Sequence, residues 1–420
     1  MKARYTETML VSVPLPEPKR VEDFRESAGD EAVDRLLEAS QPFKGSRMVH
    51  LSSTAFGGGV AELLASQIAL LKDLGIDADW QLMDGSEEFF SVTKLAHNAL
   101  QGAGVPWTEA MEATYLERVR INAARFTESA DFVFVHDPQP AAMLTILEEE
   151  GRRDGTWVWR CHIDLTHAME AVWGFFAVHV NRYDAAVFTM EDFVRPGLQA
   201  RVAVIPPSID PLSPKNTWLE PEAVREILVG YDIDPERPIV AQVSRFDPWK
   251  DPFGVIDAYR LTKEEFPELQ LVLVGSMAHD DPEGWHYLEQ AEEQRGGDPD
   301  IHVLTNLQGV GDIAVNAFQR GSSVVVQKSI REGFGLTVSE GMWKERPVIA
   351  GNAGGLRLQV EDGKTGYLVG SVEQCADRML ELLRDAKQRE RMGRAGKARV
   401  RDRFLTVREV TDYLELLSQL

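Results

Sequence analysis

The chain has 420 residues, 44% of them hydrophobic, and a formal net charge of −22. That length holds more core than one domain usually serves, so two domains are expected. The acidity disfavours non-specific binding to nucleic acid or to an anionic membrane, and a site for an anionic substrate has to gather arginine and lysine locally.

Residues 1–45 are charged and weak in strand character, with an amphipathic helix over Glu31–Ala39. Such an arm suits packing on the first domain or on a partner subunit, which makes a homodimer an expectation. Thr8–Val13 is too short for a signal segment or a membrane span, and the chain reads as soluble and cytoplasmic. Short apolar runs then alternate with helical patterns. Strands are predicted at Met48–Ser52, Trp80–Met83, Phe132–His136, Trp157–Cys161, Ala185–Thr189 and Val202–Ile205, and a helix at Val60–Leu74. Four prolines within Ile205–Pro214 mark a linker. A second alternating series follows at Ile239–Val243, Leu269–Val274, Ile301–Leu304, Ser323–Val326 and Pro347–Ile349, with helices at Phe253–Thr262 and Cys375–Arg384. The alternation predicts two doubly wound α/β domains, 46–212 and 213–404. Residues 405–420 form an amphipathic helix that closes the second domain or crosses back to the first. The two cysteines, Cys161 and Cys375, are far apart and imply neither a disulfide framework nor a metal site.

Several polar clusters fall where predicted strands end. Phe56-Gly57-Gly58-Gly59-Val60 opens the first helix. It is either a flexible turn or a place where backbone amides and a helix N-terminus receive an anion. The spacing is neither that of a dinucleotide fingerprint nor that of a Walker A loop. Arg245 and Lys250 lie five apart in Ser244-Arg245-Phe246-Asp247-Pro248-Trp249-Lys250. They are two solvated cations or a pair that neutralises a diphosphate. His136-Asp137 and His162-Ile163-Asp164 end adjoining strands, and His162 suits a bond to a sugar hydroxyl or proton transfer near neutral pH. His97, Asn98 and Gln101 add groups able to bind hydroxyls. The spacing of His136, His162 and His167 fits no helical His-x-x-x-His ligand set, so no metal is expected. No Gly-x-Ser-x-Gly elbow is present, and acyl-enzyme chemistry finds no support.

Glu332 and Glu340 stand eight positions apart (340 − 332 = 8) in Arg331-Glu332-Gly333-Phe334-Gly335-Leu336-Thr337-Val338-Ser339-Glu340. The spacing predicts one acid on a loop and the other about two turns up a helix. Amides of Gly333, Phe334, Gly335 and Leu336 would then face a phosphate while the acids hold hydroxyls on either side.

Together these stretches resemble the retaining GT-B glycosyltransferases of the family that contains sucrose and glycogen synthases. Glu332 to Glu340 matches that family's paired-glutamate motif, Arg245 and Lys250 its diphosphate site, and Gly57–Gly59 its first-domain phosphate loop. His97–Gly102, His136–Pro140, Arg160–Asp164, Gln242–Lys250 and Met277–Trp285 are similar, more narrowly, to trehalose glycosyltransferring synthases. One departure is Asp251, where glycine is common in the wider family. The resemblance implies two Rossmann-like domains facing a central cleft and reversible transfer of glucose from a nucleoside diphosphate to free glucose, with retention of configuration. It implies that Arg245 and Lys250 stabilise the leaving diphosphate, aided by Gly58, Gly59 and the Gly333–Leu336 loop. Glu332 would hold the donor glucose and Glu340 the ribose, with base contacts near Leu304. His97, Asn98, Gln101, Asp137, His162 and Asp164 would bind the sugars. No cofactor is required, the nucleotide being ADP-, UDP- or GDP-glucose. A trehalose phosphorylase and a nucleotide-sugar 2-epimerase remain as alternatives.

Overall fold

The computed structural model describes residues 9–15, 18–55, 58–277 and 282–420. The chain divides into two compact units, Met1–Pro206 with Val407–Leu420, and Pro207–Thr406. The first boundary thus lies six residues ahead of the one read from the proline-rich stretch (212 − 206 = 6).

The first unit is built on seven strands among the described residues: β1 (Val11–Ser12), β2 (Arg47–Ser52), β3 (Asp77–Leu82), β4 (Phe132–His136), β5 (Thr156–Arg160), β6 (Ala185–Phe188) and β7 (Arg201–Val204). Their order is β1-β3-β2-β4-β5-β6-β7, parallel throughout except for β1, which runs antiparallel to β3. The order changes direction around β2, the first strand of the parallel set, where open α/β sheets place ligands at the carboxyl ends of their strands. β1 was not legible, because a two-residue edge strand carries no periodicity. β3 begins at Asp77, three residues before the predicted Trp80 (80 − 77 = 3).

One face of this sheet is covered by an apolar cluster that joins distant pieces of chain. Val21, Phe24, Val33, Leu36 and Phe43 of the N-terminal region pack there with Met48, Trp80, Phe134 and Val187. Val407, Val410, Tyr413, Leu414 and Leu417 of the helix Thr406–Leu417 complete it. The N-terminal segment is therefore part of this core. Arg35 adds a two-pronged bond to Glu415 of the last helix, each prong 2.8 Å. That pair is largely exposed and contributes little beside the burial of Phe24, Val33 and Leu36, each worth about 1.5–3 kcal/mol.

The second unit holds β8 (Ile239–Val243), β9 (Gln270–Gly275), β10 (Ile301–Thr305), β11 (Val324–Gln327), β12 (Val348–Gly351) and β13 (Gly366–Val369). All are parallel, in the order β10-β9-β8-β11-β12-β13, so direction reverses between β8 and β11. Their runs are nearly continuous apolar stretches, buried on both faces as a parallel sheet under helices requires. β13 escaped the sequence reading because its four residues follow a polar turn and begin with glycine.

Candidate functional site

The loops after β8 and β11 meet at the reversal point of the second sheet. Asp247 starts a short 3₁₀ turn, Pro248–Lys250, by accepting from the amides of Trp249 (2.9 Å) and Lys250 (3.1 Å). The Gln242 amide nitrogen donates to the Lys250 carbonyl at 2.8 Å. From the other loop, the Ile330 amide donates to the Trp249 carbonyl at 2.8 Å, and the Thr337 hydroxyl donates to the Val243 carbonyl at 2.9 Å. The Arg331 guanidinium stacks on the Trp249 ring, 4.6 Å from its centroid. A backbone bond, a hydroxyl and a cation–π contact thus fix the two loops together without help from Lys250 or Glu332.

This clamp brings Lys250 against Glu332. The ammonium donates to both carboxylate oxygens, at 2.7 and 2.6 Å, with the side chains only 15% and 9% exposed. Ser329 donates to the same carboxylate at 3.0 Å. Arg245, 54% exposed, lies 3.1 Å from the Asp247 carboxylate. Lys328, nearly buried, pairs with Asp251. Four cations therefore gather here, Lys250, Arg245 and Lys328 each beside one carboxylate and Arg331 on the Trp249 ring, so the acidic side chains offset most of the local positive charge.

Asp251 also explains itself. Its φ is +48°, the left-handed region in which glycine is comfortable and a short polar side chain is tolerated. Its carboxylate accepts from the Gly254 amide at 3.1 Å, capping the helix Pro252–Lys263. The departure from glycine leaves the Lys250 loop in the left-handed shape and adds a cap and an ion pair.

Glu332 leads into Gly333, Phe334 and Gly335, and the helix Leu336–Trp343 begins directly after them. Gly335 has φ +84°, and a Cβ there would meet the Leu356 side chain at 2.7 Å, so glycine turns this corner without strain. The Glu332 carbonyl accepts from the Gly355 amide at 3.0 Å, which pins the loop from behind. Glu340 is four residues past the helix start (340 − 336 = 4), one turn in rather than two. It is buried; Gln319 donates to its carboxylate at 3.2 Å, and Lys215 stands 3.9 Å away. Lys344 donates to the Glu340 carbonyl at 3.2 Å and to the Asn216 side-chain oxygen at 2.8 Å. Burial pulls the Lys344 ammonium down to about 7, against the opposing effect of Glu340. Leu304 is a core residue on β10, its side chain packed with Val272, Val274 and Phe318 and its backbone ladder-paired to Val274. Asn306, just beyond, accepts from the Met277 amide at 2.7 Å and donates to its carbonyl at 3.1 Å. Residues 278–281 of the Met277–Trp285 stretch lie outside the described residues, as does Gly57.

In the first unit, Gly58 is the extended residue that opens the helix Gly59–Asp73, and nothing lies within 4 Å of where a Cβ would stand. His136 ends β4 and His162 follows β5. Their rings bond to each other, His136 Nδ1 to His162 Nε2, at 3.0 Å. His50 of β2, which sequence reasoning passed over inside an apolar run, bonds His136 Nε2 through its Nδ1 at 3.1 Å. Burial holds His50 down at about 3 and the other two well below the usual histidine value, with the Arg160 charge lowering His136 and His162 further. Asp137 (φ +65°) accepts from the His162 amide at 2.8 Å, and burial pushes its carboxyl up to about 6 against that bond. A second polar group lies at the C-terminal end of the helix Glu87–Leu100, where His97 and Asn98 occupy the last turn and Gln101 caps it. The Met169 amide donates to the Ala99 carbonyl at 3.0 Å, which ties the segment after Asp164 to this helix end. Asp164 is buried and accepts from the Thr166 amide at 2.9 Å. Among the described residues, no cluster of three or more histidine, cysteine or acidic side chains is arranged to hold a metal ion.

The sequence matches two family models. Residues 50–195 match "Trehalose synthase, N-terminal domain" and residues 224–399 match "Glycosyl transferases group 1". The chain is 48% identical over 405 residues to a trehalose synthase of Thermococcus litoralis, covering 96% of this chain and 97% of that one. It is 47% identical over 410 residues to a trehalose synthase of Rubrobacter xylanophilus, covering 96% and 98%. Among solved structures, a sucrose-phosphate synthase from Thermosynechococcus elongatus superposes with a TM-score of 0.68 at 17% identity, over 89% of this chain and 98% of that one.

Proposed function

We infer that this chain, which belongs to the trehalose synthase family and has the GT-B glycosyltransferase fold, forms α,α-trehalose by transferring glucose from a nucleoside diphosphate to free glucose, reversibly and with retention. The observation that carries this reading is the Lys250–Glu332 pair at the reversal point of the second sheet. A diphosphate oxygen that takes the Lys250 ammonium is separated only by that ammonium from a carboxylate able to accept from glucose hydroxyls. Donor phosphate and donor sugar are thereby gripped side by side.

As the bond from glucose to phosphate breaks, negative charge grows on the leaving diphosphate. Lys250 and Arg245 stabilise it, and amides of Phe334, Gly335 and Leu336 at the start of their helix add donors. Such preorganised charge is worth about 2.7–4 kcal/mol per donor removed. With two cations on the diphosphate, the reading requires no metal. Glu340, already a buried acceptor, takes the ribose hydroxyls in place of Gln319. The first unit supplies the other sugar contacts, His162 and Asp137 near the reacting carbon and His97, Asn98, Gln101 and Asp164 as hydroxyl partners. Among the described residues no helix is long and apolar enough to cross a membrane. We place the enzyme in the cytoplasm, with a homodimer as the assembly to be tested.

Incubating the enzyme with glucose and each of ADP-, UDP- and GDP-glucose, and identifying trehalose as product, tests the reading. In reverse, trehalose should release glucose with a nucleoside diphosphate and not with inorganic phosphate. Release with phosphate alone would turn the assignment to a phosphorylase, in which Glu340 has no ribose to hold.

A further inference from the structure

The three histidines His50, His136 and His162 stand on one diagonal of the first sheet. His50 is in register with Phe134, so His136 lies two residues further along the neighbouring strand and on the same face. His136 is in register with Arg160, and His162 again lies two residues on. The rings stack with centroids 5.3 and 5.4 Å apart and interplanar angles of 18° and 20°. His50 and His136 are each 2% exposed, while His162 is only partly buried.

A neutral imidazole has one N–H and one lone pair, and each link consumes one of each. Two links across three neutral rings leave a single collective choice: all three protons sit on Nδ1, or all three sit on Nε2. Charging a ring is strongly disfavoured, because the chain is buried and the wholly buried Arg160 guanidinium lies beside it with Nε, Nη1 and Nη2 unpartnered. The inner end decides between the two states. His50 Nε2 is buried without a hydrogen-bond partner, at a small cavity that Gln67 and Tyr413 line together with Met48, Leu71, Phe134 and Val410. An orphaned N–H is the rarer and costlier defect, so the proton leaves that nitrogen and takes Nδ1.

We propose that His136 and His50 are positioning residues that fix the tautomer of His162, so that His162 Nε2 accepts from His136 and His162 Nδ1 carries the proton and donates to the bound sugar. This rests on the reading that His162 touches substrate. It makes His162 a hydrogen-bond donor and not a general base, in the way that the partner of a catalytic histidine sets which nitrogen faces the reaction.

The test uses the full chain labelled with 15N-histidine, its ring nitrogens assigned by single substitutions. At pH 7, His50, His136 and His162 should each show a protonated, pyrrole-type Nδ1 and a lone-pair, pyridine-type Nε2. A pyrrole-type Nε2 at His162 overturns the proposal. In kinetics, His136→Phe keeps the stacking and removes both bonds. It should lower kcat by about 10- to 100-fold, the loss seen when the group that orients a metal-bound histidine is removed, with the donor KM within about twofold. His136→Gln can donate to His162 Nε2 and accept from His50 Nδ1, and should recover most of that loss. Unchanged kcat in His136→Phe, or equal loss in His136→Gln, refutes the relay. His162→Ala separates the two levels: wild-type turnover there defeats the site assignment, whereas a defect there with none in His136→Phe defeats only the relay.

Discussion

Replacing Lys250 by methionine separates the two things the ammonium does, stabilising Glu332 and stabilising the leaving diphosphate. Lys250 donates to both oxygens of Glu332, and the pair is 15% and 9% exposed. Breaking a buried pair leaves an uncompensated charge and costs about 3–5 kcal/mol. The low end applies here, since Ser329 and Gln327 still donate to the carboxylate. A loss of about 3 kcal/mol in a unit of this size lowers its melting temperature by about 6–12 °C. The double variant Lys250→Met with Glu332→Gln replaces both charges by neutral groups of similar volume and should melt close to the parent. Turnover should behave differently. Lys250→Met loses about 10²–10³ in kcat, as for one preorganised donor, and the double variant recovers none of it. Calorimetric melts and initial rates of trehalose formation decide the matter. Parental kcat in Lys250→Met would refute the phosphate role, and a double variant as unstable as the single would refute the claim that Glu332's charge is what Lys250 compensates.

Glu340→Gln should weaken nucleoside diphosphate binding by about 10-fold or more, the value of a hydrogen bond to a charged acceptor, and unchanged affinity by titration calorimetry counts against the ribose assignment. Asp137 is an acid raised from 3.8 to about 6 in the folded chain, so the native state binds more protons between those values and stability falls as pH rises across them. Asp137→Asn, which fits a φ of +65° and keeps an oxygen for the His162 amide, should be more stable than the parent at pH 8 by up to about 3 kcal/mol and not at pH 4; denaturant melts giving equal differences at both pH values contradict this. Lys344 is a base lowered from 10.5 to about 7, so the unfolded state binds more protons between those values and stability rises with pH across them. Lys344→Met should flatten that rise, worth up to about 5 kcal/mol, and a parental slope between pH 7 and 9.5 would show that the ammonium is not the group responsible.

What the sequence made legible was the part written in local pattern. Runs such as Ile239–Val243 and Val324–Gln327 announce buried parallel strands, because burial on both faces leaves them no polar alternation. Arg245, Lys250 and Glu332 were found from strand ends and glycine, and the structure brings Lys250 and Glu332 to within one hydrogen bond. Contacts decided by register were hidden. Nothing near His50 in the sequence marks it as a neighbour of His136, since 86 residues separate them and only the pairing of β2 with β4 joins them. Lys328, Lys215 and Lys344 were missed for the same reason: each is an ordinary lysine until the fold sets it beside Asp251, Glu340 or Asn216. The burial of the Leu304 side chain was hidden too, because a strand's apolar residue near its end and the first residue of a loop look alike in sequence.

The return of the chain to the first unit at Val407 reverses the order in which the units can be finished. Every residue of Pro207–Thr406 leaves the ribosome before Val407 does, yet Val410, Tyr413 and Leu414 belong to the core begun by Val21 and Phe24. The stretch that enters the second unit and the one that leaves it also lie side by side, with the Ile209 amide donating to the Phe404 carbonyl at 2.8 Å and the Thr406 amide donating to the Ile209 carbonyl at 3.1 Å. In chain terms the second unit is an insertion with adjacent ends, able to close while its host still lacks a wall. The host sheet, translated first, waits with part of one apolar face open for its last helix, and that interval is when a nascent chain most needs protection from aggregation.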